Sequence, residues 1–240
     1  MSGRPGRLSR ELVVKAALEL IDTEGLGALS MRRVGQALNV EAMSLYRYVT
    51  SREALLDAVV ESIMDELWAD PEVQFQPEDG WQDCLTRLAH AVRRHAVAHP
   101  RAFPLVATRP PEAPFVRPPQ RSLRWLDAFL TALRSRGFTD EGALYAYRAY
   151  TSFLLGHLLL EVAHSAEDPA VTDAPLHDAV AVKDPGLPIE AAAHVDAADH
   201  PLVAEFATRP AEDHAEQEFT GGLYDLLARL AAHPGAGPTT

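Results

Sequence analysis

Apolar residues recur at spacings of three and four along most of the chain, and runs of Val and Ile with period-two alternation are absent. That pattern predicts an all-α protein. A first helix starts at Ser9 as N-cap, with Glu11 in its first turn, and buries Leu12, Val13, Ala16, Ala17, Leu20 and Ile21 before Gly25 stops it. Ser30 caps a short second helix with Val34, Ala37 and Leu38 facing inward, and a tight turn around Asn39 leads to a third, over about 41–48. Thr50 as N-cap with Glu53 three residues on reads as a capping box for a long fourth helix ending near Leu67. Further helices are expected over Trp81–Ala98, 120–136, 140–163, 201–207 and Ala215–Ala231. The proline-studded stretch 104–119 predicts a short helix plus loop. Residues 165–199, rich in Ala, Asp, His and Pro, predict a mobile or partly helical excursion, and the Gly/Pro/Thr tail after His233 a frayed end. No internal repeat is present.

Two domains fit in 240 residues, and a hydrophobic content of 47% provides a sizeable core. Cys84, the single cysteine, excludes an intramolecular disulfide framework and a Cys-rich zinc site; its plain reading is a small buried hydrophobe. The longest apolar stretch, 153–160, carries Gly156 and His157 and falls well short of the ~20 residues a membrane helix needs. The start of the chain is polar and basic, with no apolar segment behind it, so a soluble cytoplasmic protein is expected. Net charge is −12, yet residues 1–52 hold eight Arg and Lys against five acids, which leaves +3 there and −15 over the remainder. A basic end on an acidic body predicts contact with a polyanion through one face only.

The segment 29–49 carries most of the functional information. Two short helices joined by a tight turn follow the helix-turn-helix plan. Val34, Leu38, Val40 and Leu45 sit where those helices must pack on the first, which exposes Ala42, Met43, Ser44, Tyr46, Arg47 and Tyr48. Hydroxyls and a guanidinium suit phosphates and base edges, and Ala and Met suit thymine methyls. The same spacing also occurs in plain helical hairpins, so by itself it leaves both readings open.

The match of Gly25, Arg32, Gln36-Ala37-Leu38-Asn39-Val40, Leu45-Tyr46-Arg47-Tyr48-Val49 and Arg52-Glu53-Ala54-Leu55-Leu56-Asp57-Ala58 resembles the TetR family of repressors. Trp81-Gln82-Asp83, Thr108-Arg109-Pro110, Gly137-Phe138, Ala143-Leu144-Tyr145-Ala146 and Gly156 extend the resemblance toward its tetracycline-repressor branch. The resemblance implies an N-terminal three-helix helix-turn-helix domain over 1–58 and a larger helical ligand-binding and dimerisation domain over 59–233. Residues 234–240 would be a disordered tail. It implies a homodimer whose two heads read successive major grooves of a near-palindromic double-stranded operator, and a small-molecule effector. Carried over by position, Arg32 meets a base edge or phosphate, Ala42, Met43 and Ser44 face bases, Tyr46 and Tyr48 the DNA backbone, and Arg52 a phosphate. Arg47 either forks onto a guanine or clamps a phosphate.

The chain departs from the tetracycline repressor at the ligand. The resemblance implies a metal-binding histidine at the position of Leu105, a histidine at that of Trp68, polar or aromatic pocket residues at Leu88 and Val92, and a partner glutamate at Leu160, beside Glu161. Tetracycline with magnesium is thus not expected as effector, and a more apolar molecule is. Candidate pocket residues are Trp68, Leu88, Val92, Phe103, Leu105, Thr108, Arg109, Trp125, Tyr150, Phe153 and His157, with Arg109 as an anion anchor; plain core packing competes for each. Two apolar stripes on the 144–162 helix and Phe219, Leu223, Leu226, Leu227 and Leu230 on the last helix suggest a four-helix dimer interface. His95 and His99 stand at i, i+4 without an accompanying acid, and no metal or cofactor is expected. Gly-rich phosphate loops, a Gly-x-Ser-x-Gly elbow and a clustered acid–base set are lacking, so a helical enzyme is the weakest alternative; a sequence-independent DNA binder without a sensor is the other.

Overall fold

A computed structural model describes residues 8–74, 79–109, 123–166, 214–233 and 235–236. In chain order the helices are α1 (Arg10–Glu24), α2 (Met31–Ala37), α3 (Ala42–Leu45), α4 (Arg52–Ala69), α5 (Trp81–Ala98), α6 (Phe103–Thr108), α7 (Leu123–Ser135), α8 (Asp140–Ala166) and α9 (Ala215–Ala231), with no strand among the described residues. The expected helix over 201–207 and most of the 165–199 stretch lie outside them.

Caps set the N-terminal elements. The Ser9 side chain accepts from Leu12 N and that of Ser30 from Arg33 N, as expected of such residues ahead of an apolar run. The α4 cap is Ser51, not Thr50: Ser51 is extended and its hydroxyl accepts from Ala54 N. The third helix is also shorter than its pattern suggests. It ends at Leu45, whose carbonyl accepts from both Tyr48 and Val49 N–H, a tightened turn that draws Val49 into the core. Asn39 makes the α2–α3 turn in the left-handed region at φ 54, where asparagine is tolerated better than most residues.

Two inward faces differ from expectation. Leu12 is 40% exposed, while Val14 and Leu18 are buried, so α1 is covered on more sides than one stripe predicts. Ala37 is exposed and Gly35 is buried instead. A Cβ on Gly35 would stand 2.8 Å from the Val40 carbonyl oxygen and 3.3 Å from Ala42 Cα, so α2 turns its bare backbone toward α3.

Two apolar cores result. One joins α1, α2, Leu45, Val49 and the first half of α4 to Ile63, and it takes in Ala102 and Leu105. The other runs from Leu67 through α5, Phe103, α7, α8 and α9. Val106 packs on both. The sequence places the domain boundary at 58/59, whereas one core gives way to the other between Ile63 and Leu67 of α4.

Phe219, Leu223, Leu226, Leu227 and Leu230 are buried within the chain's own body core, not on a face left for a partner. The stripe of Tyr147, Leu154, Leu158 and Val162 on α8 meets them there. Past α9 the chain folds back, and Gly235 offers its carbonyl to Thr139 N at 3.0 Å. A Cβ on Gly142 would strike that carbonyl, so the start of α8 and residue 235 are in close contact.

Gly35→Ala should destabilise the protein, because overpacking costs about 1–3 kcal/mol and the helix-propensity gain returns only up to about 1 kcal/mol. A lower denaturation midpoint in urea is the expected outcome; an unchanged one would mean that α2 and α3 can separate freely.

Candidate nucleic-acid interface and ligand region

The reading head presents its outward face on α3 and the turn behind it. Leu45 and Val34 are fully buried against α1, which leaves Met43 76% and Tyr46 45% exposed, with Arg47 and Arg32 also outward. Ala42 and Ser44 are half-buried at the start of the same helix. Arg33, next to Arg32, turns instead to Glu24 at 2.5 Å and ties α2 to the end of α1.

Tyr48 and Arg52 serve the head's own backbone. The Tyr48 hydroxyl donates to the Leu8 carbonyl at 2.7 Å, and Tyr48 packs partly into the head core. Arg52 Nε donates to Leu29 O at 3.0 Å and Nη2 to Leu26 O at 3.2 Å, bracing the short turn that joins α1 to α2. Both are expected from the sequence to face the DNA backbone; the hydroxyl and all three guanidinium nitrogens are engaged within the protein, the third with Glu53 at 3.4 Å. A residue 23 or 26 positions away offers no local signal of such a brace.

The pocket candidates fall into separate groups. Trp68, at the end of α4, meets Trp125 of α7 edge to face at 4.9 Å, and the Arg124 guanidinium lies 3.9 Å over the Trp68 ring. Phe153 and His157 of α8 surround Phe219 of α9, with centroids at 5.9 and 5.3 Å. Leu88 and Phe103 are buried in the body core and Val92 packs on it. Tyr150 is fully buried and donates to Leu85 O at 2.6 Å, and burial drives its phenol pKa well up. Thr108 returns its hydroxyl to Pro104 O, and Leu105 belongs to the head core. Burial also lowers the His95 pKa, which keeps that ring neutral near pH 7, and no metal-holding group of three or more side chains occurs among the described residues.

Arg109 stands apart from these groups. Its side chain is only 14% exposed, and it reaches across to α4, to Glu53 Oε2 at 2.5 Å and Asp57 Oδ1 at 2.7 Å, with a further bond to Glu53 O at 3.0 Å. The sequence reading offered it as an anion anchor; the anions it holds are the chain's own. Desolvation opposes its charge, but the bonds to Glu53 and Asp57 outweigh that and raise its pKa. On the other side of α6, His99 Nδ1 lies 2.6 Å from Asp22 Oδ2, and Arg101 donates to Thr23 O at 2.6 Å. The chain just before α6 thus holds the end of α1, and the residue just after it holds the start of α4. Sequence reasoning weighed His99 only beside His95 and missed Arg101, Arg124 and also Arg93, which forks onto Glu161 at 2.6–3.1 Å.

A helix-turn-helix head with an exposed recognition face, fixed by one short helix to a larger helical body, defines a DNA-binding regulator with a separate effector domain. The comparisons agree. Residues 13–59 match the family "Bacterial regulatory proteins, tetR family", and residues 75–228 match "Tetracyclin repressor-like, C-terminal domain". The chain belongs to the TetR family of transcriptional regulators, with an N-terminal DNA-binding domain and a C-terminal ligand-binding domain. It is 32% identical over 224 residues to the class D tetracycline repressor protein of Escherichia coli, covering 92% of this chain and 88% of that one. A structure described as a possible TetR family transcriptional regulator from Streptomyces coelicolor A3(2) superposes with a TM-score of 0.67 at 30% identity, over 93% of this chain and 99% of that one. The Streptomyces coelicolor TetR family protein ActR, solved in complex with actinorhodin, gives a TM-score of 0.63 at 27% identity over 95% and 98%. No helix among the described residues is long and apolar enough to cross a membrane.

The hydrogen bond from Arg109 holds the Glu53 carboxyl below its ordinary value of 4.5. A depressed carboxylate contributes stability above the unfolded value and loses it as pH falls through the folded one. Glu53→Gln should therefore lower stability slightly at pH 7, by about 1 kcal/mol or less for so exposed a group. The gap to the parent should close on acidification. Thermal melts from pH 7 down to 3 test this, and a gap that persists at the acid end would refute the pairing as its source.

Proposed function

We propose that the protein is a cytoplasmic homodimeric repressor that binds a near-palindromic operator through α3 and is released by a small, largely apolar, flat molecule bound without metal. Arg32, Ala42, Met43, Ser44, Tyr46 and Arg47 form the reading face. Arg47, exposed in the turn just past α3, meets a base edge or phosphate in the major groove.

One observation carries the metal-free reading. Glu161, the carboxylate nearest the position from which the resemblance implies a partner's metal contact, is 8% exposed and takes three hydrogen bonds from Arg93 of its own chain. Leu105 and Trp68 stand where the resemblance implies histidines, and Leu105 faces the head core. A carboxylate already engaged by a guanidinium is a poor oxygen ligand for a magnesium chelate. The Trp68–Trp125 pair and Phe153 supply aromatic surface suited to flat rings. ActR, similar over most of the chain, was solved with actinorhodin, which supports a small organic ligand held by the body.

Dimerisation is assigned to the outward face of α8 and α9. Leu160 is 66% and Tyr224 59% exposed. A Cβ added at Gly156 or Gly221 would meet nothing within 4 Å in the protomer, which leaves room for close approach of a second backbone. Effector in the body moves α6; Arg109 carries the motion to α4, and the two heads lose their match to successive grooves. The effector must favour the released state, since equal affinity for both states shifts nothing.

Mobility shift on DNA from immediately upstream of the reading frame, with excess competitor, tests the assignment. Retardation that survives competitor and weakens about tenfold or more in Arg47→Ala is expected. Binding that competitor abolishes would support a sequence-independent binder instead. Actinorhodin should release the complex identically with and without EDTA, and tetracycline with Mg²⁺ should leave it bound. Release that EDTA blocks would overturn the metal-free reading.

A further inference from the structure

Trp68 stands in the last turn of α4, at the opposite end of that helix from the Arg109 contacts. Its backbone is held there, because the Gln74 side chain donates to the Trp68 carbonyl at 2.8 Å. Trp125 of α7 meets its ring edge to face at 4.9 Å, and Trp125 and Leu126 pack on the body core. Arg124, one position earlier on α7, lays its guanidinium 3.9 Å from the centre of the Trp68 ring. A stacked guanidinium uses its face and keeps its N–H donors, which lie in its plane, for acceptors beyond the ring. Among the described residues the Arg124 guanidinium has no hydrogen bond or ion pair, and neither indole N–H of Trp68 and Trp125 has an acceptor. The acids that follow Trp68 in the chain, Asp70 and Glu72, are taken by Arg94 of α5 at 2.9 and 2.7 Å. Two half-buried indoles and an exposed guanidinium therefore meet between α4 and α7 with donors in excess and no acceptor of the protein's own.

We propose that Arg124, Trp68 and Trp125 form an acid-selective subsite for the effector, which is a flat aromatic carboxylate. The inference rests on the reading of the protein as released by a flat, largely apolar molecule, and adds the charge that molecule carries. Its rings lie against the indoles, and its two carboxylate oxygens accept from Arg124 in the forked geometry that a guanidinium offers. Residues 53–240 carry a net charge of −15, so the body as a whole repels an anion. A guanidinium without an acid of its own offsets that repulsion at one place, and so selects acids over neutral molecules of the same shape. A ligand held here touches α4 directly. Any shift of Trp68 passes along one continuous helix to Glu53 and Asp57, where Arg109 grips it from the other side.

The test uses the full-length protein and two probes of equal shape, anthracene-2-carboxylate and anthracene-2-carboxamide. Each is titrated by calorimetry at pH 7 and added to the protein bound to an operator selected from random-sequence DNA. The parent should bind the acid about tenfold or more tightly than the amide, the scale of a charge-assisted pair, and should leave the operator at correspondingly lower acid concentrations. Arg124→Gln should bring the two probes to within about twofold of each other. Arg134→Gln, at the other end of α7, should keep the parent's preference, and Trp68→Phe should weaken both probes and leave their ratio unchanged. Melting temperature and operator affinity without probe show that each variant is folded. Equal binding of acid and amide by the parent would overturn the acidic class and leave the flat, apolar effector standing. A preference that survives Arg124→Gln would overturn Arg124 as its source. Binding of neither probe up to about 1 mM, with operator retardation intact, would sink the flat-effector reading and the subsite with it.

Discussion

The Arg109 guanidinium, closed between Glu53 and Asp57, is the constraint on which the relation of head to body depends. A half-buried charge needs its partners, because breaking one side leaves the other uncompensated in a poorly solvated place. The contact therefore ties the residue after α6 to the start of α4 at two points. On the far side of α6 the Asp22–His99 pair and the Arg101 bonds hold the end of α1. With α1 and α4 both held, the face formed by α3 is presented in one orientation. Within the head, Arg33–Glu24 and the Arg52 brace remove the remaining slack between α1, α2 and α4.

Much of this was legible in the sequence, and the reasons are local. Ser9 and Ser30 cap because a short hydroxyl before an apolar run has few better partners than the free N–H groups beyond it. The α5 and α9 boundaries fall where the three-four spacing starts and stops. The helix-turn-helix showed in its spacing because the turn and its buried positions are close in sequence. What was not legible was long-range. Nothing near Arg109 in the chain announces carboxylates more than fifty positions earlier, and nothing near Tyr48 announces Leu8. Periodicity also shows which face of a helix is apolar without showing what covers it. Phe219 and the leucines of α9 were read as a partner's surface for that reason, and they cover their own α8.

The ligand region illustrates the same limit from another side. Trp68 and Trp125 meet as a pair, as do Phe153 and His157, but Arg109 and Leu105 sit at the junction between the cores. Proximity to a pocket in a relative's alignment is a weaker guide than the direction a side chain faces on a six-residue helix. Leucine where the resemblance implies a histidine changes more than chemistry. It lets the residue join the apolar contacts that fasten α6 to the head.

Because Ala102 and Leu105 help to fill the head's core, the two halves of this protein are not interchangeable cassettes. Grafting another head onto this body by cutting ahead of residue 59 would place Ala102 and Leu105 against foreign partners and leave Arg109 facing whatever the donor carries at the positions of Glu53 and Asp57. A chimera that keeps its signalling has to respect the surface between α6 and α4 as a matched pair. Lineages that exchange reading heads by recombination would be expected to carry changes in 99–109 along with them.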